Sequence, residues 1–198
     1  MSKSKELLDR LSEWHQIFSQ ESQKSSEKAA HLYTVSTLGY HYVQMSIFRA
    51  IIRPFVANSD IETTTRTSEM ARDQQDIMSF ARSGVHSATT SAAIFVKGLK
   101  EEHFHMFWPH WSQVAISSIC FLELLMALSS PDTEEATSWF RDIHAHRKEM
   151  RLQSNMLPVL RLGLLRIDAV FWKGVDNVLR LEPHVKVALQ ASLQPSSS

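Results

Sequence analysis

The feature that most constrains this chain is a long amphipathic stretch, residues 29–56. Its apolar and aromatic side chains recur in steps of three and four, at Leu32, Val35, Leu38, Tyr42, Met45, Phe48 and Ile52. That spacing lays one stripe along a helix. A helix of about six turns with one apolar face is not stable alone in water. The sequence therefore predicts that the rest of the chain packs around this helix.

The C-terminal limit of this helix is predicted from a proline. Pro54 has no backbone N–H and disfavours helical geometry at Arg53, the residue before it. We therefore expect the helix to end at about Ile52.

The composition is typical of one globular domain. The chain has 198 residues, of which 43% are apolar and 21% are charged. Because there are only five glycines and six prolines, long helices are favoured over many short strands. The 21 basic and 21 acidic residues balance, so no overall charge favours binding to nucleic acid or to an anionic membrane.

The single cysteine, Cys120, excludes an internal disulfide and a zinc site with several cysteines within this chain. The N-terminus is charged and amphipathic rather than a signal sequence, so we expect an intracellular location. The most hydrophobic stretch, residues 114–128, is too short to span a bilayer and contains Glu123. It is predicted to be a buried helix.

Further amphipathic segments complete an all-α fold. Helices are predicted at residues 4–19, 69–99, 109–128, 131–152 and 158–171, with a short continuation at 175–181. Polar segments at 20–28 and 58–67 are predicted to be loops. The expected architecture is a single irregular bundle of about six or seven helices. It comprises a domain over residues 1–182 and a loosely helical to disordered tail over 183–198.

Two helix starts have explicit local chemistry. Pro109, at the end of an aromatic-rich junction (residues 101–111), suits the first turn of the helix that follows. In Ser130-Pro131-Asp132 we expect a serine cap, a proline at the first helical position and an acid near the positive end of the helix dipole.

Ten histidines raise the question of a metal site. His103, His105 and His110 are close in sequence, but they show no recognised metal-binding spacing. On a helix, residues two apart point about 200° apart, so His144 and His146 cannot share one ion without distortion. No metal ligand is predicted.

The sequence contains no catalytic motif that we recognise. It lacks a G-x-S-x-G nucleophile turn and both types of glycine-rich phosphate loop. Cys120 lies in an apolar run, where a thiol has a raised pKa and acts as a small hydrophobic group. The acid pairs Glu101/Glu102 and Glu134/Glu135 lie near predicted helix N-termini, where the dipole explains them. No catalytic or cofactor-binding residue is therefore predicted, and the chain is expected not to be an enzyme.

Cations are concentrated between residues 141 and 180. This span contains eight cations and four acids, so its net charge is 8 − 4 = +4. The acids are Asp142, Glu149, Asp168 and Asp176. The cations are Arg141, Arg147, Lys148, Arg151, Arg161, Arg166, Lys173 and Arg180. Such a patch can contact phosphate, but salt bridges and helix C-termini are the commoner use of these side chains. No aromatic residues are expected among them on the solvent face.

Several ordered segments resemble one known family. They are LDRLSEWHQIF at residues 8–18, LGYHYVQMSIFRAIIRPF at 38–55, FWPHW at 107–111, HRKEMRLQS at 146–154 and LLRIDAVFW at 164–172. Together they resemble the fungal-specific transcription factor domain, the regulatory region of fungal zinc binuclear-cluster transcription factors. The resemblance covers residues 7–181, with Arg53-Pro54-Phe55 as its sharpest mark.

The resemblance implies an all-helical, non-catalytic, nuclear regulatory domain, the C-terminal part of such a region. Family members carry six cysteines that bind two zinc ions and read DNA, whereas this chain has one cysteine. No cofactor and no direct sequence-specific DNA binding are therefore expected of this chain. The expected partners are proteins of the transcription machinery or a second copy, with a possible small-molecule effector and no membrane.

Two other functions remain open. One is a metabolite-binding domain whose pocket is lined by aromatic residues. Large aromatic residues more often belong to the hydrophobic core than to a binding pocket. The pocket would use Trp108, Trp111, Trp139, Phe140 and Trp172. The other is a helical enzyme with unrecognised motifs, which converging His, Asp or Glu side chains in a cavity would favour.

Overall fold

The computed structural model describes residues 2–22, 27–57 and 68–193, and it folds these ranges into eight α-helices without a strand. The helices are α1 (Ser2–Ser22), α2 (Glu27–Ala57), α3 (Ser68–Lys97), α4 (Ser112–Leu128), α5 (Thr133–Gln153), α6 (Pro158–Lys173), α7 (Val175–Val178) and α8 (Pro183–Leu193). The predicted all-α class is confirmed. The predicted loop at 58–67 lies outside the described residues, as do positions 23–26 of the linker and 194–198 of the tail.

The helix at the centre of the bundle is α4, not α2. It is apolar nearly all round and packs against α2, α3, α5 and α6, whereas α2 packs against α1, α3 and α4. Ile116, Ile119 and Met126 are fully buried along it. A helix with one apolar stripe can be covered on one side, but a helix apolar on all sides requires neighbours all around it.

The predicted stripe of α2 is buried over most of its length. Leu38, Met45, Phe48 and Ile52 lie in the core, but Leu32, nearest the N-terminus, is 64% exposed. Helix α1 packs on α2 with only some of its apolar side chains. Leu8, Leu11 and Phe18 are half-buried, while Leu7, Trp14 and Ile17 are exposed.

The predicted end of α2 at Ile52 is wrong, because the helix continues to Ala57 with Pro54 inside it. Pro54 falls in the last turn, so it removes one hydrogen bond, the one that the carbonyl of Ala50 would accept. Ala50 and Pro54 are both exposed, so water can reach that carbonyl. The cost of the proline is therefore smaller here than in a buried helix interior.

Two predicted helix starts are shifted. Helix α4 begins at Ser112, and Pro109 forms a turn ahead of it, with its carbonyl accepting from the Ser112 N–H at 2.9 Å. Asp132, not Ser130, caps α5, because its carboxylate accepts from the Glu135 N–H at 2.8 Å. The buried Ser130 hydroxyl instead donates to the Met126 carbonyl at 3.0 Å and satisfies the end of α4.

Residues 183–193, expected to be loosely helical, form α8. Val185, Ala188 and Leu189 are buried, and the helix packs against α5. His184 Nε2 lies 2.7 Å from the carbonyl of Ser130, which connects the start of α8 to the turn between α4 and α5.

Candidate functional site

A buried acid and a histidine connect α4 to α5. Glu123 is 0% exposed, and its Oε1 lies 2.8 Å from Nδ1 of His146. Burial raises the pKa of Glu123. Burial alone would lower the pKa of His146, but the contact with Glu123 and the charge of Asp142 outweigh it and raise that pKa. The pair connects α4 to α5. Glu123 lines none of the four cavities found among the described residues.

Cys120 lies one turn before Glu123 on α4 and is fully buried. Burial, reinforced by the nearby Glu123 carboxylate, raises the pKa of its thiol well above the ordinary value. A thiol that is neither ionised nor exposed cannot act as a nucleophile. The interpretation of Cys120 as a core residue is confirmed.

Two cations of the predicted basic patch are used inside the bundle. The Arg147 Nε donates to Oδ1 of Asp168 at 2.8 Å, and Nη2 of Arg151 donates to Oδ2 at 2.9 Å. Asp168 and Arg147 are both buried, and the Arg147 guanidinium also lies 3.9 Å from the ring centroid of Phe171. This cluster fastens α5 to α6 and leaves neither of its arginines free for phosphate.

Four of the five histidines that suggested a metal site contact other groups, and the fifth, His105, is exposed. Nδ1 of His103 accepts from the Lys100 N–H at 2.9 Å in a 3₁₀ turn at Glu101–His103. Nδ1 of His110 lies 3.0 Å from the Gln113 amide nitrogen. His144 faces Ser192 of α8 while His146 faces α4, in agreement with the spacing argument. Within the described ranges no three His, Cys, Asp or Glu side chains form a group that could hold a metal ion.

The two acid pairs differ in their surroundings. Glu102 lines a cavity of about 300 Å³ together with His31 and His103, and its Oε1 lies 4.0 Å from Nε2 of His103. Glu135 forms an ion pair with Nε of Arg82 at 2.7 Å and accepts from the Trp139 indole N–H at 3.2 Å. Its neighbour Glu134 is exposed in the first turn of α5, and Glu101 is exposed in the 3₁₀ turn. One member of the second pair thus fastens α3 to α5.

The five aromatic residues proposed to line one pocket do not converge. Trp139 and Phe140 are buried on α5, and Trp111 stacks with Tyr42 of α2 at 6.4 Å between ring centroids. Trp172 is 71% exposed on α6. Trp108 alone of the five lines a described cavity. The proposed composition of the pocket is therefore wrong.

That cavity lies where the aromatic junction meets the start of α6 and has a volume of about 330 Å³. The described residues that line it are mainly apolar and include no acid: Phe104, Met106, Phe107, Trp108, Pro109, His110, Gln113, Pro158, Val159 and Leu162. Phe107, on the junction side, is 75% exposed. We call it the junction cavity.

A second cavity, of about 280 Å³, lies among α2, α4, α6 and α7. Of the described residues that line it, one is charged and the others are apolar: Arg49, Phe121, Leu124, Leu125, Leu128, Val170, Val178 and Leu179. We call it the Arg49 cavity.

The outer face of α6 is an uncovered surface with several apolar side chains. It comprises the eight exposed residues of that helix: Pro158, Arg161, Leu162, Leu165, Arg166, Ala169, Trp172 and Lys173. The exposed fractions of the large apolar side chains are 50% for Leu162, 43% for Leu165 and 71% for Trp172. The expectation that no aromatic residue accompanies the basic patch is wrong. This face could have been predicted from the sequence, because helical periodicity places these residues on the side of α6 opposite its buried apolar stripe.

No described helix is long and apolar enough to cross a bilayer. Comparison with known protein families, with curated proteins and with solved structures finds no match to this chain. The family resemblance therefore stays a prediction, and every role assigned to a residue of this chain rests on its own contacts.

Proposed function

We propose that this chain is a non-catalytic helical domain that regulates transcription in the nucleus by docking other proteins. The observation that carries the docking role is the outer face of α6, where two leucines and a tryptophan are exposed side by side on one rigid helix. Contiguous exposed apolar surface on a folded domain marks interaction sites. The transcriptional setting is supported by the ordered family-like segments, from Leu8–Phe18 to Leu164–Trp172.

The polar groups inside the bundle support a structural use of its ionisable residues. Glu123 with His146, Asp168 with Arg147, and Glu135 with Arg82 each join two helices. Reactive groups poised for catalysis are instead usually directed into a cleft that a substrate can enter.

A reporter assay tests the proposed function. The chain is fused to an unrelated DNA-binding module, and transcription from a promoter carrying that module's site is measured in fungal cells. We expect transcription to differ from that given by the DNA-binding module alone. We also expect the unfused chain to show no tight, base-specific shift of DNA in gels. Unchanged transcription, or base-specific DNA binding by the chain itself, would contradict the proposal.

The Arg49 cavity supports a second candidate function, a small-molecule sensor. An apolar lining with one arginine suits an apolar molecule that carries a carboxylate, since the guanidinium is the only charged group among the described residues that line the cavity. Thermal unfolding with decanoate is the test, with decanol as the uncharged control. We expect decanoate to raise the midpoint in the wild type and Arg49→Gln to abolish the rise. No shift in the wild type would remove this candidate.

A further inference from the structure

The outer face of α6 has a definite order across its width. By helical periodicity, Leu165, Ala169 and Leu162 occupy its middle, and Trp172 adjoins Leu165. Arg161 lies along one edge, whereas Arg166 and Lys173 lie along the other. A strip of apolar side chains with cations on both sides is complementary to a helix that has an apolar stripe between two rows of acids.

The charges on this face are uncompensated. Its eight exposed residues include three cations and no acid, so its charge is +3. The acid of α6, Asp168, is buried on the opposite side and is held by Arg147 and Arg151. No ion pair or hydrogen bond involves the side chains of Arg161, Arg166 or Lys173 in the described part of the chain.

The apolar strip continues into a recess. Pro158 and Leu162, at the N-terminal end of the face, also line the junction cavity, whose far side carries the exposed Phe107. A cavity of about 330 Å³ has room for a large apolar side chain. An anchor in a recess beside an apolar groove is the usual arrangement when a domain binds an amphipathic helix.

The residue types favour a protein over nucleic acid or a membrane. A site for single-stranded nucleic acid usually combines cations with several aromatic side chains on which the bases stack. The middle of this face is aliphatic instead, and Trp172 is its one aromatic residue. A membrane surface would bind a continuous apolar face, and it would make no use of the cavity at one end of this face.

We propose that the outer face of α6, together with the junction cavity, binds an acidic amphipathic helix of a partner protein. The proposal rests on the proposed function in taking this domain as a docking module, and it specifies where the partner binds and what its chemistry is. The partner's apolar stripe lies along Leu162, Leu165 and Trp172, with one large side chain in the cavity. Its acids pair with the cations at the two edges.

The test uses a synthetic helical peptide with leucine and phenylalanine in one stripe and glutamate in two flanking rows. Binding of the labelled peptide to the purified full chain is followed by fluorescence anisotropy. The key variant is the triple charge reversal Arg161→Glu, Arg166→Glu, Lys173→Glu. The matched control is Arg141→Glu, Lys148→Glu, which reverses two exposed cations of α5. A second variant, Leu162→Ser with Trp172→Ser, probes the apolar strip.

We expect the wild type to bind the peptide at micromolar concentration and the triple reversal to weaken binding by about 100-fold, because three attractions become repulsions. We expect the serine variant to weaken it by about 10-fold and the α5 control to leave it unchanged within about 2-fold. Added salt should weaken binding to the wild type. A peptide with lysine in place of glutamate should not bind. The salt and lysine-peptide results decide the matter even if the triple reversal fails to fold.

Three outcomes would overturn the inference. They are no binding of the acidic peptide, equal weakening by the α5 control, and binding of duplex DNA or phosphatidylserine vesicles in preference to the peptide. The reporter assay is read separately: altered transcription without peptide binding rejects this inference alone. Peptide binding without altered transcription retains the acidic docking site and rejects its transcriptional setting.

Discussion

Nδ1 of His146 lies 2.8 Å from Oε1 of Glu123, so a histidine on α5 meets a fully buried acid on α4. The pKa values of both groups are raised, Glu123 by burial and His146 by Glu123 and Asp142 against the effect of burial. Both raised values mean that the folded chain holds these protons more tightly than the unfolded chain. Their contribution to stability is therefore complete at low pH and is lost as the pH rises.

The first prediction concerns Glu123→Gln. In the wild type, the contribution of His146 to the stability of the fold is lost as the pH rises above 6.5 and passes the raised pKa of His146 in the folded state. Glutamine removes the Glu123 charge, and the remaining effect of Asp142 is smaller than that of burial, so the pKa of His146 is then lowered. The contribution of His146 is therefore lost as the pH falls below 6.5 instead. The free energy of unfolding, measured with urea between about pH 5 and 9, should show this reversal in the difference between the two proteins.

Subtracting one pH profile of the unfolding free energy from the other cancels the titration of all groups except Glu123 and His146, because both proteins share those groups. The charge-conserving variant Glu123→Asp is the control, and it should keep the alkaline loss. Parallel pH profiles for the wild type and Glu123→Gln would show that the Glu123–His146 contact does not govern proton binding.

The second prediction concerns His41, whose pKa burial and the neighbouring His15 lower from 6.5 to about 4. Its ring contacts the rings of Tyr40 and Phe95, and its buried Nδ1 has no hydrogen-bond partner among the described residues. A lowered pKa means that stability present above pH 6.5 is lost as the pH falls toward 4. That loss should be about 2 to 3 kcal/mol.

His41→Phe keeps an aromatic ring and removes the titration, so its free energy of unfolding should vary about 2 kcal/mol less between pH 6.5 and 4. At neutral pH it should be at least as stable as the wild type, since no hydrogen bond is lost. Urea unfolding at the two pH values measures this. His105→Gln, at an exposed position, is the control. An acid loss in His41→Phe as large as that of the wild type would refute the assignment.

The third prediction compares the two arginines that bind Asp168. Arg147 is buried and makes two contacts with Oδ1, whereas the Arg151 side chain is 54% exposed and contacts Oδ2. Arg147→Met leaves a buried carboxylate short of its main partner and should cost about 3 kcal/mol of unfolding free energy. Arg151→Met should cost about 1 kcal/mol or less, because water already surrounds much of its side chain.

Asp168→Asn should approach the cost of Arg147→Met, because it leaves a buried guanidinium without its counter-charge. Denaturant unfolding at neutral pH measures all three variants. Equal costs for Arg147→Met and Arg151→Met would mean that burial does not determine the strength of these contacts.

The sequence predicted the helices well because their periodicity is local. Apolar steps of three and four located α3, α4 and α6 to within a few residues, and the buried stripe of α3 contains the predicted Met78 and Val85. The centre of the bundle was misassigned because the choice between α2 and α4 depends on how many sides of a helix are covered. That quantity is set by the whole bundle and not by one stripe.

The ionic contacts were missed for a related reason. Whether His146 meets Glu123 depends on the rotation of α5 against α4, which no local spacing encodes. One hint was present, since an acid in the middle of an apolar helix is rarely buried without a partner. Similarly, counting cations over residues 141–180 did not separate Arg147, which is buried, from Arg166, which is exposed. The inward stripe of α6 would have made that separation.

The last prediction concerns Gly84, which lies in the middle of α3 without breaking it. A Cβ at this position would lie 2.2 Å from two atoms of the Phe48 ring, and Phe48 is buried on α2 at 3% exposure. Glycine normally weakens a helix interior by about 1 kcal/mol relative to alanine. Here the absent methyl group lets α2 and α3 pack with the ring between them.

Gly84→Ala should therefore destabilise the chain by about 2 kcal/mol despite the better helix propensity of alanine, because the ring must move within a packed core. Gly98→Ala is the control, since its nearest contacts would be ordinary ones at 3.4 Å. Phe48→Leu alone should also destabilise, by about 1 kcal/mol. The double variant should be more stable than the sum of the two single costs predicts, because the smaller side chain makes room for the methyl group. Strict additivity in this double-mutant cycle, measured by urea unfolding, would show that Gly84 and Phe48 do not share one packing site.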